Sequence, residues 1–512
     1  MERNLKPIET RKQKSGMENN NMSIAEEPVS PSSRLLHEPA FNLHILAIMG
    51  FNSKINPHVF THNMPHTLLK HPRFTSLMVV DKEENGKMKW VETEVDLSQH
   101  ITVVEAPEVE VEGDETHRKN KKFVEDYVYE LSKERMDMSR PLWDLHILNL
   151  KTRDAEALAV LRMHHALGDG ASINSLLLAC TRQTANPKLL PTISTRSSSP
   201  PKTLKPNNPK PKPKNFFKLV WNTLVDVFIF IATLFFLKDS QTPITPSPAS
   251  ESKPKRFAYR ILSLNDFFSI KLATNTTIND VALGVTQAAL SMYLNRRYGK
   301  RDIGSIEGQN NLPKNLRLRS CLFFNLRPAK GIQALADMMK KEKGESNSMS
   351  KWGWGNRFGY AILPLKIGML NDPLDYVREA KATADRKKYS YEPIFTYYLA
   401  NFVIKFFGPK AAAILTNKIF SNASTCFSNV VGPREDLEFF GHPIAFIAPT
   451  CYGQPSALMV HFQSYVDKMG VIISVDENVI PDPNQLLDDF EKSLHLIKDA
   501  AAAAATSSPT NL

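Results

Sequence analysis

Between about Pro187 and Pro254 the chain changes character, and this break limits what the rest can become. Ser197 to Asn215 is dense in Pro, Lys and Ser. Proline removes backbone donors and lysine resists burial, so such a stretch stays extended and solvated, outside any packed core. The sequence therefore reads as a polar tail (1–27), one half (28–187), a linker (188–256), a second half (257–500) and a second tail (501–512). Each half is long enough to bury a core of its own.

Inside the linker, 216–237 is apolar, with Phe228, Ile229, Phe230, Ile231, Leu234, Phe235 and Phe236 at its heart. Its length approaches the ~20 residues that span a bilayer. Asn222, Thr223 and Asp226 interrupt it, and one carboxylate mid-helix costs about 2.5–3.5 kcal/mol on insertion. It reads as a marginal span or an interfacial or re-entrant helix. A buried core helix is the competing reading, and the Pro- and Lys-containing flanks oppose it. Lys202, Lys205, Lys210, Lys212, Lys214 and Lys218 lead into it with no acid before Asp226. Such a cluster suits anionic headgroups at about 1 kcal/mol per cation; it equally suits a charged solubilising linker. Residues 202–237 are thus the expected membrane contact. The whole chain carries 64 basic against 53 acidic residues, a net charge of +11. That excess fits an anionic membrane, nucleic acid or a phosphorylated ligand.

Cys180, Cys321, Cys426 and Cys451 stand alone, which excludes a disulfide scaffold and CxxC spacing. The polar first residues contain no secretory apolar core. A cytosolic, reducing setting is expected, with the sequons at Asn21, Asn275 and Asn422 unused.

Period-2 and short apolar runs predict strands over 42–49, 74–80, 142–150, 157–163, 257–264, 317–326, 358–365 and 426–431, with a hairpin over 457–475. Residues 87–95 alternate weakly and predict an edge strand. Helical periodicity covers 123–136, a helix starts at Thr277, and a last one follows Pro483. The pattern is α/β or α+β in two halves.

One stretch concentrates chemistry: an apolar strand runs into His164 and His165, and Gly168 and Gly170 then flank Asp169. The glycines permit a tight turn and close backbone approach. A histidine at a strand end faces a cleft readily, and a neutral imidazole can take a proton from a hydroxyl at cellular pH. A metal site would need more ligands than His165 and Asp169 supply. A structural histidine pair remains the bland reading. The absence of GxSxG, GxxxxGK[ST], HExxH and a strand-linked GxGxxG argues against a serine nucleophile, an NTPase and a zinc protease.

His-His-x-x-x-Asp-Gly over 164–170 resembles the signature of the wax ester synthase/diacylglycerol acyltransferase family. Pro141-Leu142-Trp143, Asn279-Asp280 and Asn429-Val430-Val431-Gly432-Pro433 resemble further family elements in the same order. Weaker echoes are His71-Pro72-Arg73-Phe74, Asn325-Leu326-Arg327-Pro328 and Trp354-Gly355-Asn356. The central insert is similar to that of the plant branch. The soluble-metabolite acyltransferases that share His-x-x-x-Asp carry a C-terminal Asp-Phe-Gly-Trp-Gly, which this chain lacks.

The resemblance implies an α/β fold of the two-lobed, CoA-dependent (chloramphenicol acetyltransferase-like) kind, each lobe a mixed sheet flanked by helices. It implies a tunnel with the motif histidine midway, acyl-CoA on one side and a long-chain alcohol or diacylglycerol on the other. Acyl-CoA is then a co-substrate, and no cofactor, metal or nucleic acid is expected. His165 is the expected general base, and His164 orients it or binds substrate. Asp169 pins the loop, through an arginine the sequence does not name. Asn279 or a backbone amide is the oxyanion donor. Pro141, Leu142, Trp143, Gly170, Asp280, Asn429 and Gly432 are expected at the substrate. Small soluble acceptors and a non-catalytic membrane protein are the alternatives. The base precedes the apolar segment and Asn279 follows it, so one crossing would separate them. Both lobes are expected on the cytosolic face of the endoplasmic reticulum membrane, with the plasma membrane as the alternative.

Overall fold

The computed structural model describes residues 26–81, 86–105, 113–192, 213–246, 254–299, 310–327, 332, 335–337 and 354–507. The Lys/Pro run before 213 lies outside them, as do 1–25 and 508–512.

The first lobe is built on a seven-stranded sheet in the order β5-β6-β7-β2-β14-β13-β8. These strands are β5 (Ile101–Val104), β6 (Trp143–Leu148), β7 (Ala157–His164), β2 (His44–Phe51), β14 (His442–Tyr452), β13 (Leu437–Phe439) and β8 (Thr181–Gln183). β2 and β7 are buried along their whole length. Their apolar runs without strict alternation are what a strand covered on both faces requires. Across β6 and β7, Asp144 opposes Arg162, and the two form a buried ion pair at 2.6 Å. Burial would raise the Asp144 carboxyl, but His146 and Arg162 outweigh it and hold it at about 2. The helices α1 (Pro31–Leu35), α2 (Pro57–Asn63), α3 (Asp114–Lys133) and α4 (Gly170–Cys180) belong to this half of the chain. A small sheet, β1 (Glu26–Pro28), β4 (Lys87–Glu92) and β3 (Ser76–Asp81), has β4 in its centre. The expected edge strand is therefore central, because residues assigned to the polar tail supply β1.

The second sheet runs β11-β10-β12-β15-β16-β9. Its strands are β9 (Arg256–Ser263), β10 (Leu318–Asn325), β11 (Phe358–Leu365), β12 (Thr425–Val430), β15 (Leu458–Tyr465) and β16 (Lys468–Val475). The helices α6 (Leu264–Thr274), α7 (Ile278–Gly299), α8 (Leu374–Lys388) and α10 (Pro483–Ser507) contribute to its core. The terminal tail expected from residue 501 is helical as far as Ser507.

The halves are not divided along the sequence as expected. β13 and β14 come from the second half but complete the first sheet, with β14 antiparallel to β2 from Ile444 to Tyr452. β13 covers only the start of β14, so Pro449 sits where the strand has a partner on one side.

The apolar insert forms α5 (Pro213–Phe235), which lies against α9 (Glu392–Asn422). The residues that interrupt its hydrophobicity face the protein. Asp226 is fully buried and meets Arg386 at 2.6 Å and Lys387 at 3.0 Å. Asn222 donates to the Arg386 carbonyl. Thr233 accepts from Arg319, which also pairs with Asp239 at 2.6 Å. The insert is thus bonded to the second half along one face.

Candidate active site

β7 ends at His164, and a short 3-10 turn carries His165 before α4 begins. The two rings diverge. His165 lines a cavity of about 380 Å³ between the two sheets, a size within the usual range for ligand pockets. Ile45, Ala47, Ile447, Pro449 and Thr450 wall it from the first sheet, and Phe323, Phe358, Tyr360, Met459 and His461 from the second. Leu35, Phe41 and Phe420 add apolar surface.

The His165 ring is held by Asn356. Its Nδ1 lies 3.0 Å from Asn356 Oδ1, while Asn356 Nδ2 donates to the His165 carbonyl at 2.9 Å and to Ser33 Oγ at 3.1 Å. These donations fix the amide so that its oxygen faces the ring. Nδ1 therefore carries the proton, and Nε2 is left with its lone pair. Burial lowers the pKa of His165, with Asp169 and the Asn356 bond acting against it. The ring is neutral near pH 7, the form a base needs.

Asp169 caps α4, accepting from the Ser172 amide at 3.0 Å. Its carboxylate takes both terminal nitrogens of Arg327, at 2.7 and 2.5 Å, and the Arg357 amide at 3.0 Å. Arg327 also donates to the Gly355 carbonyl. The motif loop of the first half is thereby clamped to two segments of the second. Trp354 joins them, donating from Nε1 to the Leu167 carbonyl at 2.7 Å.

Several expected site residues lie elsewhere. His164 does not line the cavity; its ring is buried between His37 and His44 and bonds Asn42 at 2.7 Å. Alternation along the strand end sends adjacent side chains to opposite faces. Pro141, Leu142 and Trp143 are buried away from the cavity, and Trp143 donates to the Phe74 carbonyl and stacks on His100. Their bulk serves the first lobe's core. Asp280 is buried at the start of α7, where it exchanges capping bonds with Thr277. Asn279 does not line the cavity; it accepts from Asn429, which does. Gly170 lines the cavity. Gly432 does not, and a Cβ there would meet the Ser464 carbonyl at 1.8 Å, so the turn admits only glycine.

The sequence reading missed Asn356 as the partner of His165, although the echo Trp354-Gly355-Asn356 pointed at it. It also missed Thr450 and Gln463. Both line the cavity, and Thr450 Oγ1 and Gln463 Oε1 are buried there without a partner among the described residues. Nothing in their local sequence marks them: Thr450 is an isolated polar position in the middle of an apolar run, and Gln463 is one of several polar positions in β15. Among the described residues, no group of three or more His, Cys, Asp or Glu is placed to hold a metal ion.

The family description "Wax ester synthase/diacylglycerol acyltransferase catalytic domain" matches residues 32–282, and "WS/DGAT C-terminal domain" matches 354–498. Wax ester synthase/diacylglycerol acyltransferase 4 of Arabidopsis thaliana is 45% identical over 96% of this chain and 93% of its own length. The Arabidopsis protein numbered 11 in the same series is 42% identical over 93% and 96%. Among solved structures, the wax ester synthase/diacylglycerol acyltransferase from Marinobacter aquaeolei VT8 superposes with a TM-score of 0.57 at 16% identity, covering 93% of this chain and 100% of that one. The first condensation domain of the calcium-dependent antibiotic synthetase gives 0.53 at 11%, covering 95% and 98%. These likenesses show the two-lobed, chloramphenicol acetyltransferase-like fold expected from the motifs. With two family domains and relatives matched over nearly its whole length, the chain belongs to the wax ester synthase/diacylglycerol acyltransferase family.

Proposed function

We propose that this acyl-CoA-dependent O-acyltransferase moves a long-chain acyl group to a long-chain fatty alcohol, giving a wax ester, or to diacylglycerol, giving triacylglycerol, with His165 as general base. The observation that carries the reading is the Asn356 bond at Nδ1 of a histidine that lines an apolar cavity between the lobes, which keeps the Nε2 lone pair for a proton. Nε2 takes the acceptor's hydroxyl proton as its oxygen attacks the thioester carbonyl. The tetrahedral intermediate collapses, the C–S bond breaks, and the CoA thiolate leaves with the proton from His165. A positioned base contributes roughly 10²–10⁴ in rate, and holding both substrates in one cavity supplies the orientation. The Thr450 hydroxyl replaces Asn279 as the candidate oxyanion donor, because it is a cavity-wall donor with no partner among the described residues.

Acyl-CoA is a co-substrate in this reading, and no resident cofactor, metal or nucleic acid takes part. Asp169 supports the base by holding the motif loop through Arg327 and by its own charge beside the His165 ring. The acceptors are lipids, so the enzyme works at a membrane, with residues 202–237 at its surface. The cytosolic face of the endoplasmic reticulum is the proposed location. Both lobes stand on one side, since β14 cannot complete the first sheet from across a bilayer.

The test supplies palmitoyl-CoA with hexadecanol, diacylglycerol or a small phenolic alcohol and follows CoA release. Transfer to either lipid acceptor, lost in His165→Ala, is the expected result. Preference for the phenolic alcohol, or full activity in the variant, would overturn the proposal.

A further inference from the structure

The outer surface of α5 is apolar, and its buried polar residues lie on the inner side. Trp221, Leu224, Phe228 and Phe235 are each more than 60% exposed, while Asn222, Asp226 and Thr233 are buried on the opposite side. α9 beside it repeats the arrangement. Ile394, Tyr398, Phe402 and Phe406 recur every four residues and are exposed. On its other face, Thr396, Tyr397 and Ala400 line the His165 cavity. The wall between that cavity and the outside is one helix thick, about 10–12 Å with side chains. At Gly408 the backbone turns out of helical geometry (φ 83°, ψ 166°) and Pro409 starts a new run, so the helix has an elbow bearing Phe406 and Phe407.

Charge identifies what covers this surface. The carboxylates within the two helices are Asp226 and Glu392, both fully buried in ion pairs. The cations are outside. Lys218 lies 5.1 Å from the Tyr389 ring, Lys405 5.6 Å from Phe406 and Lys418 5.9 Å from Phe235, and Lys410 follows Pro409 at the elbow. An apolar band rimmed by lysines with no exposed acid in either helix is complementary to a lipid leaflet with anionic headgroups. Neither helix can cross that leaflet, because the inner side of each is packed on the protein, α5 through Asp226 and α9 against β11.

We propose that α5 and α9 seat the protein in one leaflet of an anionic membrane, and that the acyl acceptor passes from that leaflet into the cavity along Tyr397 and Ala400. The second part rests on the acyl-transfer reading; the first does not.

The full-length protein is floated with phosphatidylcholine vesicles with and without phosphatidylserine, and assayed with palmitoyl-CoA and diacylglycerol in vesicles or in detergent micelles. The triple variant Phe402→Ser, Phe406→Ser, Phe407→Ser changes exposed positions that do not line the cavity. It is expected to bind vesicles at least about tenfold more weakly, and to lose a similar factor on vesicle-borne diacylglycerol while keeping its activity in micelles. Replacing Lys405, Lys410 and Lys418 by Gln is expected to weaken binding to phosphatidylserine vesicles by about fivefold per lysine. Should the triple variant not fold, Ile394→Ser with Tyr398→Ser tests the same stripe. Unchanged flotation, or a wild-type protein that binds neither vesicle and so offers this face to a protein, overturns the docking. Lost flotation with unchanged activity on vesicle-borne diacylglycerol overturns the loading path. A wild-type protein inactive in micelles and vesicles alike, with hexadecanol as well as with diacylglycerol, refutes the acyl-transfer reading, while flotation still reports on the face.

Discussion

A histidine becomes a base through what holds its other nitrogen. Asn356 accepts from Nδ1 of His165, and burial keeps the ring neutral, so the acid limb of kcat/KM is expected below pH 6.5. The sign follows from the mechanism: the protonated ring cannot accept, so a lower pKa extends activity downward in pH. Asn356→Asp places an anion against Nδ1 and is expected to move the limb upward; Asn356→Leu leaves Nδ1 unpaired and lowers kcat at every pH. A pH profile that stays fixed in Asn356→Asp would remove Asn356 from this role. Thr450→Val is expected to reduce kcat by about 10²-fold with little change in KM, as read from steady-state kinetics. At this scale the histidine motif was legible because catalytic strand ends and glycine turns are local. The partners were not, because 191 residues separate His165 from Asn356 and 158 separate Asp169 from Arg327.

Elements were legible where their burial is simple. β2, β7, β11 and the β15–β16 hairpin read directly as apolar runs, and α7 and α10 as periodic ones. β14 was not assigned, since Pro443 and Pro449 argue against a strand unless one side lacks a partner. Neither was α9, where Pro393 at its start and Gly408-Pro409 within it break the helical pattern. α5 was recognised as an apolar helix, but its polar interruptions read as flaws in a span. They are instead its attachment to the second half. Asp226→Ala is accordingly expected to cost about 1–3 kcal/mol in stability. The figure is lower than for a fully buried pair because Arg386 is partly exposed and Lys387 keeps Glu392 at 2.6 Å. Denaturant unfolding measures the loss; an unchanged midpoint and slope would mean that α5 is not docked through this carboxylate.

At the scale of the molecule, two halves separated in sequence by the insert still share one sheet. Without β14, the first half would present β2 as an open edge, apolar over Ile45 to Phe51. Exposed edges of that kind template association with other chains. A fragment ending within the Lys/Pro run is therefore expected to be insoluble alone, although it contains His165 and almost the whole first lobe. The cavity would be incomplete as well, since Ile447, Pro449 and Thr450 come from β14, and Arg327 and Asn356 would be missing from the motif loop. Co-expressing that fragment with one starting after the same cut should restore a soluble pair, because the covalent link at the insert makes no contribution to β14 pairing with β2. The pair should also regain acyl transfer, and recovery of both on co-purification is the measurement. A soluble, monomeric first fragment would show that β14 is dispensable to the sheet, and the two lobes could then fold independently and be placed on different sides of a membrane. A pair that assembles without activity would instead place the damage at the Asp169–Arg327 clamp, and restoring the covalent link would be expected to repair it.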